Sequence, residues 1–291
     1  MNLRQWEYFV AVAEELHFGR AAVRLHMAQP PLSRQIQQLE HALGVSLLVR
    51  TNRRVTLTPA GEVFLQQARQ VLEQTAQAVQ LTQRTHRGEA GHLTMGFVAS
   101  ASYRVLPQIL RAFHRQYPNV DLTLTARTSL EQFAMLQGEQ MDVGLVRMVG
   151  IPGDLPIRVI REEPLAAIIP GGHPLTRCDR INLSDLANLP LILYPRADHP
   201  AIYDQIIAYC RAAGFEPRVV QEASETPIVG LVTAGVGIAL VIGKDYLLPP
   251  NGPMIHLFND PIPPWRLALA WHRHSSLITN LLNVIARESF E

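Results

Sequence analysis

Residues 27–40 read MAQPPLSRQIQQLE, and this stretch decides how the first sixty residues fold. Leu32, Ile36 and Leu39 are spaced by four and three residues, so they form one apolar stripe of a helix. Pro30 and Pro31 fall in its first turn, where amide hydrogens have no intrahelical partner, so the prolines start the helix rather than break it. Polar residues lie on the opposite face, with Ser33 at its margin: Arg34, Gln37, Gln38 and His41.

Two shorter helical patterns precede this helix, and a hairpin pattern follows it. Apolar spacing predicts a helix over residues 3–16, and RAAVRLH (20–26) predicts a second one. After Gly44, two β-prone runs flank a polar turn at 51–54, which predicts a hairpin with Arg50, Arg53 and Arg54 at or near its tip. This order is typical of a winged helix-turn-helix, whose second helix enters the DNA major groove.

A long uninterrupted helix is predicted next. Thr58 and Pro59 suit the N-cap and the first helical position, and neither Gly nor Pro occurs from Glu62 to Arg87. Apolar residues at heptad-like spacing predict a seam that pairs with a second copy of the chain: Leu65, Ala68, Leu72 and Val79. Packing of this helix on its own chain is the alternative.

Beyond the linker RGEAG (87–91), strand and helix patterns alternate, which predicts mainly parallel sheets with helices on their faces. A break near residues 161–164 favours two lobes. We predict domains at 1–58, 59–87 and 88–291. Within the last of these, we predict lobe I at about 91–161 and 267–291, and lobe II at about 162–266.

Three predicted strands in the first lobe are followed by polar residues, in chain order Ser100, Ser102, Thr128, Ser129 and Arg147. Ligands bind at the carboxyl ends of strands in such sheets, and an arginine there suits a carboxylate. Hydroxyl side chains at helix starts are also ordinary caps, and Ser129 with Gln132 fits a capping box. The spacing therefore leaves a binding role and a capping role open.

Composition limits the class of protein. The chain has a net charge of +1, but its first 87 residues contain ten Arg and six Glu, which favours a nucleic-acid-binding N-terminal part. The absence of a long apolar run or signal-peptide pattern predicts a cytoplasmic protein with no membrane partner. Cys178 and Cys210 are interpreted as ordinary thiols, with a redox switch as the alternative. No catalytic motif occurs, so we predict no enzyme activity, cofactor or metal.

The first 65 residues resemble the winged helix-turn-helix of LysR-type bacterial transcriptional regulators. The resemblance rests on AA…L…QPPLSRQI…LE..LG..LL.R and a closing LT.AG. It implies an α/β chain with a winged helix-turn-helix, a long linker helix and a two-lobed effector domain like a periplasmic binding protein. Residues 95–101, MGFVASA, followed by an LP.I…F…P.V pattern, further resemble regulators of aromatic-acid catabolism and of acetoin synthesis.

The resemblance also implies functional residues and partners. It places DNA contacts at Gln29, Pro30, Ser33 and Arg34 of the recognition helix and at Arg53 of the wing. Together with the polar helix face and the hairpin tip, the predicted DNA contacts also include Pro31, Gln37, Gln38, Arg50 and Arg54. It places a small organic acid, aromatic or a simple carboxylate, among Ser100, Ala101, Ser102, Thr128, Arg147 and Tyr203. The implied partners are double-stranded DNA with dyad half-sites and further copies of the chain in a tetramer, with RNA polymerase as another candidate.

Two other functions are weighed against a regulator that alters promoter activation. A solute-binding protein that delivers a ligand to a transporter would share the two-lobed domain, but the N-terminal module and the missing signal peptide disfavour it. An enzyme fused to a DNA-binding module would need a nucleophile–base pair, which the sequence does not offer.

Overall fold

The computed structural model describes residues 1–51, 54–150, 155–288 and 290. Contacts divide the chain into two compact units, Met1–Arg84 and Thr85–Glu291. The first unit contains α1 Leu3–Glu15, α2 Phe18–Arg24, α3 Gln29–Leu43, β1 Leu48–Arg50, β2 Val55–Leu57 and most of α4 Pro59–His86. Strands β1 and β2 form an antiparallel hairpin, so the predicted winged helix-turn-helix is confirmed. Among the residues with a described placement, no helix is both long and apolar enough to cross a membrane.

Helix α3 starts and ends as its sequence predicts. Ala28 is the N-cap, and both prolines lie in the first turn, where they remove no intrahelical hydrogen bond. Gly44 ends the helix with a φ of 71°, a left-handed conformation that glycine adopts without steric cost. Leu32, Ile36 and Leu39 are fully buried against α1, α2 and the hairpin. The apolar stripe therefore fixes which face of α3 remains outside.

The first half of α4 packs on the winged helix. Phe64 makes edge-to-face contacts with Trp6 and Phe9, whose ring centroids lie 5.0 and 5.1 Å away. Ala68 is fully buried, and Leu65 packs against the same core.

Ala68 is covered by its own unit, so it has no surface left for a second copy of the chain. Leu65 is only half-buried, and its pairing with a second copy stays a prediction. The alternative, packing on the same chain, therefore applies to Ala68. Farther along the helix, Leu72 is half-buried and the side chain of Val79 is 51% exposed.

The second unit contains eleven strands and five α-helices among its described residues. The strands are β3 Ala90–Phe97, β4 Asn119–Ala126, β5 Val143–Arg147, β6 Ile157–Glu163, β7 Leu165–Ile169, β8 Arg180–Ile181, β9 Pro190–Leu193, β10 Arg218–Glu222, β11 Ile238–Ile242, β12 Met254–Phe258 and β13 Trp265–Trp271. The helices are α5 Val105–Gln116, α6 Ser129–Gln137, α7 Pro200–Ala212, α8 Glu225–Thr233 and α9 Ser276–Ile285. A short 3-10 helix, Ala99–Tyr103, follows β3.

These elements form two lobes, each with its own sheet and core. Lobe I has the sheet β4-β3-β5-β13-β6 with helices α5, α6 and α9, and lobe II has the sheet β10-β9-β11-β7-β12-β8 with α7 and α8. The chain crosses between the sheets at Pro164 and again between Phe258 and Trp265. The two-lobed α/β architecture is confirmed.

The expectation of mainly parallel sheets holds only in part, because both sheets are mixed. In lobe I, β3 pairs in parallel with β4 and β5, whereas β13 pairs antiparallel with β5 and β6. In lobe II, β7 is antiparallel to both of its neighbours, β11 and β12. Parallel neighbours are usually joined by a helix that crosses over from one strand to the next. Strand β13 is not joined to β5 in this way, because the chain reaches β13 from lobe II, and β13 can therefore pair antiparallel with β5.

The cap of α6 also differs from the prediction by one residue. Thr128 is the N-cap: its hydroxyl accepts the Glu131 amide hydrogen (3.2 Å), and the Glu131 carboxylate accepts the Thr128 amide hydrogen (2.7 Å). The predicted capping box of Ser129 and Gln132 is wrong because Ser129 is already the first helical residue. The Ser129 hydroxyl instead accepts the backbone N–H of Arg147 at 2.9 Å, which ties α6 to the end of β5.

A glycine at the start of α4 provides a test of the winged-helix packing. A Cβ on Gly61 would lie 2.0 Å from the carbonyl oxygen of Leu47, so we expect Gly61→Ala to destabilise this unit by about 1–3 kcal/mol or more. Thermal unfolding of the full chain, followed by circular dichroism, measures the effect.

Gly230→Ala is the matched control. Gly230 lies within α8, and a Cβ there would meet no atom within 4 Å, so the same substitution should stabilise by about 0.5–1 kcal/mol. Equal unfolding midpoints for Gly61→Ala and the parent chain would contradict the described contact with Leu47.

Candidate functional site

The outer face of α3 presents a row of polar side chains. Ser33, one of the predicted DNA contacts, is half-buried at the margin of this face. The six other predicted contacts on α3 are exposed: Gln29, Pro30, Pro31, Arg34, Gln37 and Gln38. A groove of about 310 Å³ adjoins this face, and Gln29, Ser33, Arg50 and Arg54 are among the residues that line it. The face is therefore rigidly supported from behind and open in front.

Arg50 is not directed outward as a free cation. Its guanidinium donates to the Glu40 carboxylate (2.8 Å) and to the Ser33 hydroxyl (3.2 Å), and it lies 4.9 Å from the ring centroid of Phe18. The other oxygen of Glu40 accepts two backbone amides at the start of the hairpin, at 2.9 and 3.1 Å. The structure thus uses Arg50 to join the hairpin to α3, where the sequence had suggested a DNA contact.

The remaining arginines of the hairpin have different positions. Arg54 is exposed, and its backbone closes the turn through hydrogen bonds with Thr51. Arg53, the third predicted contact in this region, lies outside the described residues.

The second unit contains two small cavities in the cleft between its lobes. A cavity of about 190 Å³ is bordered by Arg127, Thr128 and Glu225, and one of about 70 Å³ is bordered by Ser129 and Arg147. Asp198 and His199 of lobe II border both cavities. The starts of α6, α7 and α8 therefore meet at this cleft, and their free N–H groups favour an anion there.

The other predicted effector residues are arranged unevenly. Ser100 is buried beside the cleft, within the 3-10 helix that follows β3. Ala101 packs into the core of lobe I with its amide bonded to Val98, so it presents no polar group. The exposed Ser102 donates its hydroxyl hydrogen to Ala99 at 2.6 Å, and Tyr203 packs on lobe II and borders neither cavity.

Arg147 is the most constrained side chain of the cleft. It is 2% exposed and forms ion pairs with Glu163 (3.1 Å) and Glu225 (2.8 Å), and it also donates to the Ser100 hydroxyl. Burial opposes its charge, but the two carboxylates outweigh this effect and raise the pKa of its guanidinium well above the usual range. The carboxylates that Arg147 binds in this structure are therefore those of Glu163 and Glu225, and its contact with an effector stays a prediction.

Glu225 connects the lobes. Its carboxylate, at the start of α8 in lobe II, accepts the Ser100 amide hydrogen and the Arg147 guanidinium of lobe I. A second link joins Asp245 of lobe II to Arg161 and Arg104 of lobe I. We call the two donors of the first link, the Ser100 amide and the Arg147 guanidinium, the Ser100–Arg147 anion site.

Neighbouring groups of the cleft are held in their neutral forms. Burial lowers the pKa of His199 and thereby favours its neutral imidazole. Burial also raises the pKa values of Tyr194 and Tyr246, whose hydroxyl oxygens lie 2.8 Å apart. The hydroxyl of Tyr194 accepts the amide hydrogen of Ile242 at 3.1 Å, which fixes its direction.

Sequence analysis missed four residues that organise these surfaces: Glu40, Glu163, His199 and Glu225. Glu40 lies within the recognised LE..LG pattern, so its place in that pattern was the only signal. Glu225 lies between the end of a strand and the start of a helix, as Thr128 does, and this position is a signal for a ligand site. Its partner Arg147 is 78 residues away, a distance that local patterns do not bridge.

Comparisons with known proteins agree with both units. The family model of the LysR substrate binding domain matches residues 86–287, and that of the bacterial regulatory helix-turn-helix protein, lysR family, matches residues 3–62. The HTH-type transcriptional regulator AlsR of Bacillus subtilis (strain 168) is 45% identical over 242 residues, which cover 83% of this chain and 80% of AlsR.

Solved structures give the same result. The crystal structure of CbnR, a LysR family transcriptional regulator, matches with a TM-score of 0.88 and 30% identity, over 98% of this chain and all of CbnR. Full-length CbnR complexed with its target DNA matches with a TM-score of 0.85 and 29% identity, over 99% of both chains. The chain therefore belongs to the LysR family of transcriptional regulators, with a DNA-binding helix-turn-helix and an effector-binding domain.

Proposed function

We propose that this regulator binds a small organic carboxylate in the interlobe cleft and alters transcription in response. One observation carries the proposal: Thr128 and Arg147, both predicted to hold a carboxylate, border the two small cavities of the interlobe cleft, where α6, α7 and α8 begin. The Ser100 hydroxyl lies beside them and accepts a hydrogen bond from Arg147. The proposed parts are 1–58 for DNA binding, 59–87 for dimerisation and 88–291 for effector binding. A ligand that binds the open and closed arrangements of the lobes with different affinity would shift their populations.

The DNA-binding role is assigned to the exposed face of α3. Glutamine and arginine side chains suit bidentate contacts with adenine and guanine edges, and Gln29, Arg34, Gln37 and Gln38 are all exposed there. The match of residues 3–62 to a regulatory helix-turn-helix disfavours a solute-binding protein for a transporter. We propose a cytoplasmic sensor that returns its ligand unchanged, because its relatives are regulators.

We also propose that α4 joins two copies through its second half. Leu72 and Val79 are one heptad apart, beyond the segment that packs on the winged helix. Val79 is 51% exposed, which leaves apolar surface on this side of α4 for a second helix. Pairs of such dimers would form the tetramer, and each dimer would present two copies of α3 to dyad half-sites.

Arg34→Ala tests the recognition surface. We expect specific binding to the intergenic DNA beside its own gene to weaken by about 1–3 kcal/mol, because a base contact is lost. Fluorescence anisotropy at constant salt measures this change. Arg69→Ala is the control, since Arg69 is exposed and pairs with Glu14 away from α3. Equal affinity of Arg34→Ala and the parent would contradict the assignment.

Arg50→Ala separates a positioning role from a phosphate contact. Because Arg50 is paired with Glu40, we expect weaker specific binding but an unchanged slope of log affinity against log salt. A lost phosphate contact would instead reduce the magnitude of that slope by about 1. The same titration of Arg34→Ala and Arg50→Ala from about 50 to 200 mM salt decides between these roles.

Thr128 allows a test of effector binding that preserves the fold. Thr128→Asp keeps an N-cap acceptor for α6 but adds a negative charge and removes the hydroxyl donor, so we expect at least a tenfold loss of carboxylate affinity, or about 1.4 kcal/mol. Thr128→Ser keeps both functions and should bind like the parent. Calorimetry with benzoate, muconate and acetate measures binding, and retained affinity in Thr128→Asp would contradict this site.

A further inference from the structure

The strongest unexplained feature of the cleft is that its anion donors are already occupied by a carboxylate of the same chain. We propose that Glu225 is an internal competitor of the effector, so that an effector carboxylate binds the Ser100–Arg147 anion site only by displacing it. The inference rests on the proposed function, because it specifies how that site selects and registers its ligand.

The geometry of Glu225 is that of a bound carboxylate ligand. One oxygen accepts the amide hydrogen of Ser100, and the other accepts Nη1 of Arg147 at 2.8 Å. The side chain is 6% exposed, so water does not share these donors to a large extent. A backbone amide together with a guanidinium is a typical donor set for a carboxylate.

The local charges show why the effector and Glu225 exclude each other. The buried or half-buried network contains two arginines, Arg147 and Arg161, and three acids, Glu163, Glu225 and Asp245. Arg104 adds a partly exposed positive charge at its edge. The network therefore has no spare positive charge, and an added anion would be a buried charge without a partner. When Glu225 leaves, an effector carboxylate restores the original balance.

Displacement of Glu225 also converts binding into a change between lobes. Glu225 belongs to α8 of lobe II, whereas Ser100 and Arg147 belong to lobe I. An effector that replaces its carboxylate removes one of the two ion-pair links that the described residues form across the cleft. The link from Asp245 to Arg161 and Arg104 is left in place. The ligand thus acts on a contact that differs between arrangements of the lobes, as a population shift requires.

The side chain itself suggests a probe. Glu225→Ala removes one methylene and one carboxylate group, and acetate, a methyl group with a carboxylate, has nearly the same size and the same charge. Acetate should therefore fill the space that this variant creates and bind the exposed Ser100–Arg147 anion site, while acetamide lacks the charge. Glu222→Ala is the matched control: Glu222 is an exposed acid of lobe II that accepts the Arg196 amide hydrogen at 3.3 Å and is not bonded to Arg147.

The experiment measures the thermal midpoint of the full chain during titration with sodium acetate, with sodium chloride and acetamide as controls. We expect Glu225→Ala to have a lower midpoint than the parent, and acetate to raise it with an apparent affinity at least about tenfold tighter than for the parent or Glu222→Ala. Acetamide should leave it unchanged. An acetate response of Glu225→Ala no larger than that of Glu222→Ala would overturn the inference.

A second variant covers the case in which Glu225→Ala does not fold. Glu225→Gln keeps the size of the side chain but lacks the charge that competes for Arg147, so it should bind benzoate or muconate at least about tenfold more tightly than the parent. If both proteins bind such an acid equally, Glu225 does not compete, although the proposed function stands. If neither the parent nor any Glu225 variant binds an acid of the panel, the proposed function fails as well.

Discussion

The burial of the Arg147 guanidinium is the constraint on which the effector unit depends. A guanidinium cannot lose its charge in a protein, so a side chain that is 2% exposed must be surrounded by acceptors. Glu163 comes from the last strand before the chain enters lobe II, and Glu225 comes from lobe II itself. Loss of either carboxylate would cost about 3–5 kcal/mol, as for a broken buried ion pair. One side chain thereby holds two sheets and the start of α8 in a fixed arrangement.

The winged-helix unit uses a similar but more exposed pair. Glu40 and Arg50, with 15% and 28% of their side chains exposed, connect the end of α3 to the hairpin. Their mutual attraction is weaker than that of a fully buried pair because water screens it. Glu40 contributes more through the two hairpin amides that it accepts, since these fix where the hairpin starts relative to α3. In both units, an arginine that looks like a ligand contact in the sequence instead joins two elements.

Local sequence patterns predicted most of the secondary structure, but they did not predict the partners of these two arginines. Most helices, the hairpin and most strands were predictable because their signals are local: prolines in the first turn of α3, Thr58 before Pro59, and short apolar runs such as LAAII at β7. Strand β6, IRVIREE, has no clear strand pattern because four of its seven residues are charged, and it lies at the edge of its sheet. Helix α9 was missed although Ser275 caps it. The ion pairs of Arg147 and the burial of Ala68 involve residues far away along the chain. No local sequence pattern identifies such contacts.

The two links across the cleft differ in how strongly a ligand can act on them. Arg104, at the Asp245 link, has 47% of its side chain exposed, so solvent screens its interaction whether or not a ligand is present. The link through Glu225 is almost dry, and electrostatic interactions there are several times stronger than at the surface. A small anion has few atoms and therefore little contact area with which to move a lobe. A small anion can move a lobe only where it replaces a charged group that the protein has already buried. Among the described residues of the cleft, Glu225 meets that condition.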